Sequence, residues 1–318
     1  MSTPLVSVVI PVFNQRTFAE ETVASVCEQK YGNLEIIVVD DGSTDATADL
    51  LESKFGSKIK LIRRTNGGPS AASNTGILAA SGSYIVLLGG DDLSTPDRVA
   101  HQIDILESTD NDIIFCKPDL IDGDGEPLPI NDFPIFHREV KERTLFRELT
   151  LHGNFFCAPS AAMRRNVVDR IGLFHPGLIQ LQDYEYWLRA VGAGLKLQRF
   201  DQVCVSYRRH VSNLSSSNRD LATDAEYPLV LGHALDHARP AVLRESFGEL
   251  LEPQIHSDAA LSYFDKCIIL LAHPHTSVRK LGIARVIDLL NDAEQTATLE
   301  KRGVNIFKLL YNAGYGPK

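Results

Sequence analysis

The amino-terminal half of the chain alternates short, largely apolar runs with amphipathic stretches. The apolar runs have the length of strands and the composition of a parallel sheet covered on both faces. In Phe18–Gln29, Val23, Val26 and Cys27 recur on one side, as in an amphipathic helix. Because single helices separate the strands, the pattern predicts βαβ units and an α/β fold with a mostly parallel sheet flanked by helices. The predicted strands are Val6–Phe13, Leu34–Val39, Lys58–Arg63 and Tyr84–Leu88, and the predicted helices are Phe18–Gln29, Ala46–Phe55 and Ser70–Ala80.

The pattern changes after Pro96. A helix is predicted at Asp97–Glu107, a strand at Ile113–Cys116 and a further helix at Leu145–Leu151. The acidic, glycine-rich segment Asp119–Glu126 lacks the length and the closing Glu of an EF-hand. A hairpin turn is therefore the better interpretation of that segment than a calcium loop.

The last part of the chain is helical in pattern and shows no catalytic motif. It follows Asn213–Asp224, a serine- and asparagine-rich stretch that we interpret as a mobile loop or linker. We therefore expect a catalytic region over residues 1–217 and an all-helical region over residues 218–318, which recognises an acceptor, forms a homo-oligomer or joins a further domain. The predicted helices are Tyr227–Arg239, Pro240–Leu251, Ala259–Ala272, Thr276–Asn291 and Ala293–Asn312.

Composition and charge exclude several classes of protein. The 318 residues are 44% hydrophobic and 23% charged, which is ordinary for a globular protein. A net charge of −9 argues against nucleic acid as a partner. The five cysteines show no CxxC spacing, so we expect reduced thiols in a cytoplasmic protein rather than a zinc site or disulfides. The apolar run after Met1–Pro4 is too short for a signal sequence or a membrane span.

Two acidic residues, Asp91 and Asp92, follow the last of the predicted buried strands. Open α/β sheets bind their ligands at this end of the strands, and two adjacent like charges favour a divalent cation between them. The alternative is a turn that begins a helix, because Ser94–Pro96 has the composition of an N-cap. Unusual polar residues recur at the other strand ends, and this clustering favours a ligand site.

Asp40 and Asp41 end the second predicted strand in the same way. No G-x-G-x-x-G motif and no P-loop occur, so a dinucleotide fold of the usual kind is not indicated. Carboxylates at this place accept hydrogen bonds from ribose hydroxyls or from a base N–H. The alternative is an N-cap at Asp41 or Ser43. Phe13 is either a stacking partner for a flat base or part of the core.

A third acidic residue, Asp183, lies in the segment Leu181–Arg189. On a helix, Tyr184, Trp187 and Leu188 share the core-facing side, whereas Asp183 lies in the first turn, where an anion is favoured. Asp183 is therefore either a simple helix cap or a catalytic carboxylate.

Four segments together resemble the ordered motifs of family-2 glycosyltransferases with the GT-A fold. The resemblance covers roughly residues 5–215, with the motifs in the right order, and is far more specific than any single motif. It implies a nucleotide-sugar donor, usually a UDP-sugar, and a bound Mn²⁺ or Mg²⁺. The segments are Val6–Asn14, Ile36–Asp45, Asn66–Gly76 and Gly82–Pro96.

The resemblance also implies roles for individual residues. Asp41 would contact the base with Phe13 and the Pro11 backbone beside it, and Asn74 would belong to the donor site. Asp91 would lie near the ribose and Asp92 would bind the metal. This chain has Gly89 where many relatives carry the first Asp of a D-x-D-D motif.

The resemblance places a catalytic base at Asp183, although Gln182 replaces the Glu that precedes it in the family. An inverting transfer needs one carboxylate to take the proton of the acceptor hydroxyl, and helical spacing directs Glu185 elsewhere. His210 either completes the metal sphere or is structural. The neighbouring arginines either neutralise the diphosphate or are ordinary surface residues. These arginines are Arg208 and Arg209.

The sequence thus predicts a metal-dependent, inverting glycosyltransferase of bacterial glycan or surface polysaccharide synthesis. Its acceptor would be a saccharide, a lipid-linked molecule or a protein. The alternative is a non-catalytic module that kept the fold for nucleotide-sugar binding or scaffolding, which Gly89 and Gln182 keep open. Peripheral association with the inner face of the cell membrane through Arg302–Tyr311 is a further hypothesis, although the basic face of that segment is thin.

Overall fold

The computed structural model describes residues 3–214, 219–251, 261–301 and 304–315. The strands within these ranges form one sheet, in the order β3-β2-β1-β4-β8-β6-β9-β5, with β7 paired to β6 on the side. They are β1 (Val6–Val12), β2 (Leu34–Asp40), β3 (Lys60–Arg63), β4 (Tyr84–Leu87), β5 (Leu93–Ser94), β6 (Ile113–Ile121), β7 (Pro127–Leu128), β8 (Ala162–Arg164) and β9 (Leu197–Arg208).

The sheet is parallel in its amino-terminal part and mixed beyond it. β1 pairs in parallel with β2 and β4, and β2 pairs in parallel with β3. β8 is antiparallel to both β4 and β6, so that β6 and its parallel neighbour β9 again run in the direction of β4. The predicted α/β fold is confirmed, and the predicted hairpin at 119–126 is present as the β6–β7 connection.

Helices cover both faces of the sheet, as predicted. On one face Val8 and Ile10 of β1 join a buried cluster with Val23 and Val26 of the first helix. The helices that precede β9 are α1 (Ala19–Cys27), α2 (Thr47–Phe55), α3 (Pro69–Ala79), α4 (Arg98–Ser108), α5 (Leu145–His152), α6 (Asn166–Ile171) and α7 (Gln182–Gly192).

On the other face α3 lies so close to the sheet that one position has no room for a side chain. A Cβ added at Gly76 would lie 2.3 Å from Cγ1 of Val9 and 3.3 Å from Cγ2 of Val39. Both valines are fully buried. The glycine therefore sets the distance between α3 and strands β1 and β2.

The carboxyl-terminal region is helical, as predicted, with two corrections. A helix begins at Arg219, so the predicted loop over Asn213–Asp224 is wrong from that residue onward; Ser215–Asn218 lie outside the described residues. The single helix predicted over Ala293–Asn312 is two helices, and the second starts where the Asn305 side chain accepts from the backbone N–H of Lys308. The helices are α8 (Arg219–His237), α9 (Pro240–Phe247), α10 (Tyr263–Leu271), α11 (Thr276–Leu290), α12 (Ala293–Lys301) and α13 (Ile306–Tyr315).

The chain divides into two compact units. The first comprises residues 1–139, 154–190 and 195–217, and the second comprises 140–153, 191–194 and 218–318. Two short segments of the predicted 1–217 domain thus cluster with the helices. Within the second unit, for example, Nε2 of His273 lies 2.9 Å from the Thr150 carbonyl oxygen. In the described ranges, no helix has the combined length and apolarity that crossing a membrane requires.

The close approach at Gly76 predicts a loss of stability in Gly76→Ala. Alanine favours a helix over glycine by about 1 kcal/mol, but overpacking against Val9 should outweigh this and lower the free energy of unfolding by about 1–3 kcal/mol. Gly32→Ala is the matched control, because nothing lies within 4 Å of a Cβ at that position. Urea unfolding followed by circular dichroism measures both. A Gly76→Ala protein as stable as wild type would contradict the packing described here.

Candidate active site at the carboxyl edge of the sheet

Strand direction brings the predicted site residues to one edge of the sheet. β1, β2, β4 and β9 share one direction, so their carboxyl ends lie together. Pro11, Asp41, Asp91 and His210 come from these ends or from the turns that follow them. Residues far apart in sequence thereby form one polar region, at the edge where α/β sheets bind ligands.

Asp91 and His210 are in direct contact in this region. Nε2 of His210 lies 2.9 Å from Oδ2 of Asp91, and the two side chains are 10% and 14% exposed. The imidazole stacks on Phe18 at a ring distance of 4.7 Å, and its Nδ1 lies 2.8 Å from the Ser212 hydroxyl. Asn213 donates a second hydrogen bond to Asp91 Oδ2, at 3.2 Å. The pair is therefore oriented from several sides.

This pair fits a divalent cation in part. Carboxylate and imidazole together suit Mn²⁺, and Mg²⁺ binds through one or two carboxylates completed by phosphate and water. Among the described residues no cluster of three His, Cys, Asp or Glu side chains could enclose a metal ion. Such a cation would therefore depend on oxygen atoms from a ligand.

Asp92 is buried beside this pair and takes a different hydrogen-bond partner. It is 1% exposed, and its Oδ1 accepts a hydrogen bond of 2.9 Å from the backbone N–H of Arg208. Burial, and then the charge of Asp91, raise the pKa of Asp92 well above its usual range, against the opposing effect of that hydrogen bond and of Arg98. The structure thus joins His210 to Asp91, whereas the sequence-based prediction joined it to Asp92.

The space at Gly89 is taken by the two carboxylates. A Cβ at this position would lie 2.4 Å from Oδ2 of Asp92 and 3.0 Å from Oδ1 of Asp91. Gly90 is equally constrained, because its Cβ would lie 2.8 Å from the Pro11 carbonyl oxygen. A glycine at position 89, where many family members have Asp, therefore leaves the space that the Asp92 carboxylate occupies in this chain.

Asp41 organises the loop that precedes α3. Its carboxylate is 3% exposed, pairs with Arg64, and accepts from the backbone N–H groups of Gly67 and Gly68 at 3.1 and 2.8 Å. The alternative of an N-cap at Asp41 is wrong, because Asp45 accepts the N–H of the first residue of α2. A contact between Asp41 and a base stays a prediction.

Two further predicted donor residues differ in their surroundings. Phe13 follows β1 and is 45% exposed, so its ring is open to a ligand. Asn74 instead bonds the backbone of Phe174 twice: its Nδ2 donates to the carbonyl oxygen at 2.8 Å, and its Oδ1 accepts from the N–H at 2.9 Å. The structure therefore gives Asn74 a positioning role on the segment before α7, and its donor contact stays a prediction.

The two arginines after Tyr207 are not ordinary surface residues. Arg208 is 1% exposed and donates to the Asp91 carbonyl oxygen at 2.8 Å and to Glu21 at 2.6 Å. Its remaining terminal nitrogen lies near two backbone carbonyl groups. The guanidinium of Arg209 stacks on Phe133 at 4.2 Å. Arg208 thus stabilises the strand ends through bonds within the protein.

Asp183 lies in the first turn of α7, as predicted. Its Oδ1 accepts the N–H of Tyr184 at 2.7 Å, and its Oδ2 accepts a hydrogen bond from Nδ2 of Asn154 at 2.9 Å. The side chain is partly exposed. Desolvation outweighs both hydrogen bonds and raises the pKa of Asp183 to about 6. A partly exposed carboxylate with a pKa near neutral has the properties of a general base.

Glu185 is unsuited to that role. It is 2% exposed, and both of its carboxylate oxygens accept from the Arg189 guanidinium at 2.8 Å. A buried carboxylate in such a two-pronged pair is fixed by its partner. The geometry therefore agrees with the choice of Asp183 over Glu185.

The sequence did not identify three residues that hold this site together. Arg98 is buried and donates to the carbonyl oxygens of Leu87 and Pro159 at 2.8 and 2.7 Å, which joins the end of β4 to the segment before β8. A lone arginine near the start of a helix gives no sign of this burial. Asn154 follows the predicted helix Leu145–Leu151, in a segment to which the sequence analysis assigned no role. Asn213 lies in a stretch we interpreted as a linker.

The fold and this carboxylate-rich edge are those of a sugar-transferring enzyme with a GT-A-like fold, and sequence comparison agrees. The sequence profile of the family described as Glycosyl transferase family 2 matches residues 7–172. The chain belongs to that family, and the resemblance found in its motifs is confirmed.

Curated relatives carry the same general description. An uncharacterised glycosyltransferase of Rickettsia typhi is 37% identical over 191 residues, which is 58% of each chain. Another, of Haemophilus influenzae, is 31% identical over 226 residues, covering 67% of this chain and 68% of that one. The match spans only 31% of a longer relative from Rickettsia conorii. The shared part is thus less than two thirds of several relatives.

Solved structures support the fold. TarS of S. aureus (residues 1–349), determined with UDP-GlcNAc, aligns over 90% of this chain and 85% of its own, with a TM-score of 0.61 and 19% identity. The mannosyltransferase PcManGT of Pyrobaculum calidifontis, determined with GDP-Man and Mn²⁺, covers 98% of this chain and 86% of its own, with a TM-score of 0.56 and 16% identity. At these identities the similarity establishes the GT-A-like architecture.

The raised pKa of Asp183 predicts a pH-dependent effect of Asp183→Asn on stability. Because the folded pKa of about 6 exceeds the ordinary 3.8, the wild-type carboxyl stabilises the fold fully below pH 3.8 and loses this contribution as pH rises through about 6. The stability of the variant relative to wild type should therefore increase by about 1 kcal/mol from pH 5 to pH 8.

Urea unfolding at several pH values measures this difference. The exposed Asp124 supplies the control variant Asp124→Asn, which removes a carboxylate from the protein surface instead of from the site. A constant difference between Asp183→Asn and wild type from pH 5 to pH 8 would show that the Asp183 carboxyl is not desolvated.

Proposed function

We propose that the protein is a metal-dependent, inverting glycosyltransferase that moves a sugar from a UDP-sugar to a hydroxyl group in bacterial glycan or surface polysaccharide synthesis. The observation that carries this proposal is Asp183, a partly exposed carboxylate with a pKa of about 6. The charges of both Asp92 and Asp183 act on the thiol of Cys157, which supports a position of the first turn of α7 near the carboxyl edge of the sheet. The Asp183 carboxylate would thus lie on the same side of the sheet as Asp91 and His210.

Asp91 and His210 would hold the metal ion, with diphosphate oxygens and water completing its coordination. The 2.9 Å distance between these side chains supports this assignment over Asp92, which is buried against Arg208. When bound, the cation would neutralise charge on the leaving diphosphate. Mn²⁺ accompanies GDP-Man in PcManGT, a neighbour in fold.

Asp183 would act on the acceptor. Its carboxylate takes the proton of the acceptor hydroxyl as that oxygen forms a bond to the anomeric carbon, while the bond from this carbon to the diphosphate oxygen breaks on the opposite face. The bonding electrons leave with the diphosphate. The configuration at the anomeric carbon is inverted, because one displacement occurs.

The donor side would use the residues at the ends of β1 and β2. Phe13, 45% exposed, would stack on the base beside the Pro11 backbone. Asp41 would accept a base N–H after exchanging one of its present partners, Gly67 or Gly68. Uridine is favoured because TarS, which shares the fold, was determined with UDP-GlcNAc. Asn74 and Arg209 would act indirectly, through the loops that they hold.

The second unit would serve the acceptor side or assembly. Its helices carry buried clusters of their own, such as the one formed by Phe264, Cys267, Leu271 and Val286. A unit with its own core can present a surface to an acceptor, a second copy or a further domain.

Binding of UDP should depend on the metal and on both proposed ligands. Titration calorimetry with UDP and Mn²⁺ should show affinity that falls about tenfold or more, at least 1.4 kcal/mol, when EDTA replaces the metal. Asp91→Asn and His210→Gln should reproduce much of this loss, while the exposed Asp124→Asn should not. The same titration with GDP in place of UDP tests whether the site prefers the uracil base of the nucleotide. Equal UDP affinity with and without metal would refute the bridging cation.

Transfer should depend on Asp183 far more than donor binding does. Asp183→Asn cannot accept a proton, so turnover should fall by about two to four orders of magnitude. UDP affinity should hardly change, because the residue faces the acceptor. Product formation at saturating donor, measured beside UDP titration, separates the two effects. If Asp183→Asn weakened UDP binding and left turnover intact, Asp183 would belong to the donor site.

A further inference from the structure

Asn154 has only one way to orient its amide. Its Oδ1 accepts the backbone N–H of Phe156 at 3.0 Å, so the amide nitrogen must point the other way. That nitrogen lies 2.9 Å from Oδ2 of Asp183. A flipped amide would bring a donor against the N–H of Phe156, and the orientation is therefore fixed by the hydrogen bonds. Asn154 consequently presents an N–H to the Asp183 carboxylate.

Aromatic packing holds Asn154 and Asp183 in register. Phe156 stacks on Phe115 of β6 at a ring distance of 4.1 Å. Trp187 of α7 meets the same Phe115 edge-on, at 4.8 Å. Trp187 lies four residues after Asp183 on α7, and residues at this spacing share one side of a helix. One buried ring thus supports both the segment that carries Asn154 and the helix that carries Asp183.

Few charged groups act on Asp183. On its own helix, Glu185 and Arg189 neutralise each other. From the segment after Asn154, the thiol of Cys157 has its pKa raised by burial first, and further by the charges of Asp92 and Asp183. Among the described residues, burial and hydrogen bonds therefore determine the state of the Asp183 carboxyl, without a charged partner.

We propose that Asn154 is a positioning residue for Asp183: its amide N–H fixes Oδ2 and favours the ionised carboxylate that accepts the acceptor proton. This inference deepens the proposed function and depends on it for the role of Asp183. An ionised carboxylate has about four acceptor positions. The N–H groups of Asn154 and Tyr184 use one on each oxygen, so positions remain for an acceptor hydroxyl.

Two substitutions separate the hydrogen bond from the fold. Asn154→Ala removes both bonds of the amide. Asn154→Asp keeps an oxygen for the N–H of Phe156 and replaces only the donor that faces Asp183, so it tests the proposal even if the alanine variant is unstable. Asn111→Ala is the matched control, because Asn111 is a buried amide that bonds Thr109 and Gln198 just before β6, at the end of that strand opposite to the site.

The primary measurement is the titration of the Asp183 carboxyl carbon by NMR in ¹³C-aspartate-labelled full-length protein, with the signal assigned by its loss in Asp183→Asn. In Asn154→Ala its pKa should rise by about one unit, the effect expected for a lost hydrogen bond to a charged group. In Asn154→Asp it should rise further, because a second carboxylate faces the first. In Asn111→Ala it should stay at the wild-type value. An unchanged Asp183 titration in both Asn154 variants would overturn the proposal.

Turnover provides the second measurement, with UDP release from UDP-GlcNAc as the probe. In both Asn154 variants the acidic limb of kcat/KM should move to higher pH with the carboxyl titration, while UDP affinity stays unchanged. A residue that only stabilised the fold would lower kcat/KM equally at every pH, and that result would also overturn the proposal. Wild-type protein that binds no nucleotide would instead contradict the proposed function, and the carboxyl titration would still report on Asn154.

Discussion

The arrangement of the site depends on one hydrogen-bonded cluster around the buried residues Asp92 and Arg208, between the ends of β4 and β9. Asp92 accepts the backbone N–H of Arg208, and the Arg208 side chain donates to the Asp91 carbonyl oxygen and to Glu21. Asp92 and Arg208 are each 1% exposed. Desolvation of such charges costs several kcal/mol unless hydrogen bonds and opposite charges offset it. The two strand ends are therefore held together, and His210 reaches Asp91 because the chain leaves β9 at Arg208.

The departures of this chain from the family pattern fit this cluster. With a side chain at Gly89, Asp92 could not keep its present carboxylate position. Gln182 keeps a second negative charge away from Asp183, whose pKa of about 6 follows from desolvation in the absence of a charged neighbour in the described chain. A Glu at position 182 would be expected to raise that pKa further. Both departures lower the density of negative charge around the proposed metal and base.

The sequence predicted the fold well because strand and helix patterns are local. The run Val6–Phe13 is β1 except for its last residue, and Leu34–Val39 is β2 lengthened by Asp40. Polar residues at strand ends also predicted where the site lies, since parallel strands bring these ends together. Where the pattern was weak, as in Asn213–Asp224, composition alone favoured a loop, although the helix α8 begins inside it.

The roles of single residues within the site were harder to predict, because they depend on contacts that are distant in sequence. Asp91 and Asp92 are adjacent, and nothing local shows that one meets His210 while the other turns towards Arg208. In the sequence Arg208 has the pattern of a surface residue, and only the structure shows its partner Glu21, 187 positions earlier.

Asp183 shows why a site of this kind is costly to the fold and how the chain limits that cost. A general base must be partly removed from water to have a pKa near neutral, and the same desolvation opposes folding at the pH where the base is ionised. The N–H groups of Tyr184 and Asn154 offset part of this cost without neutralising the carboxylate, as a salt bridge to an arginine would. Glu185, two residues later, forms a salt bridge with Arg189, and this partner prevents it from acting as a proton acceptor. Two acidic residues on one helical turn are thus given different chemistry by the donors that face them.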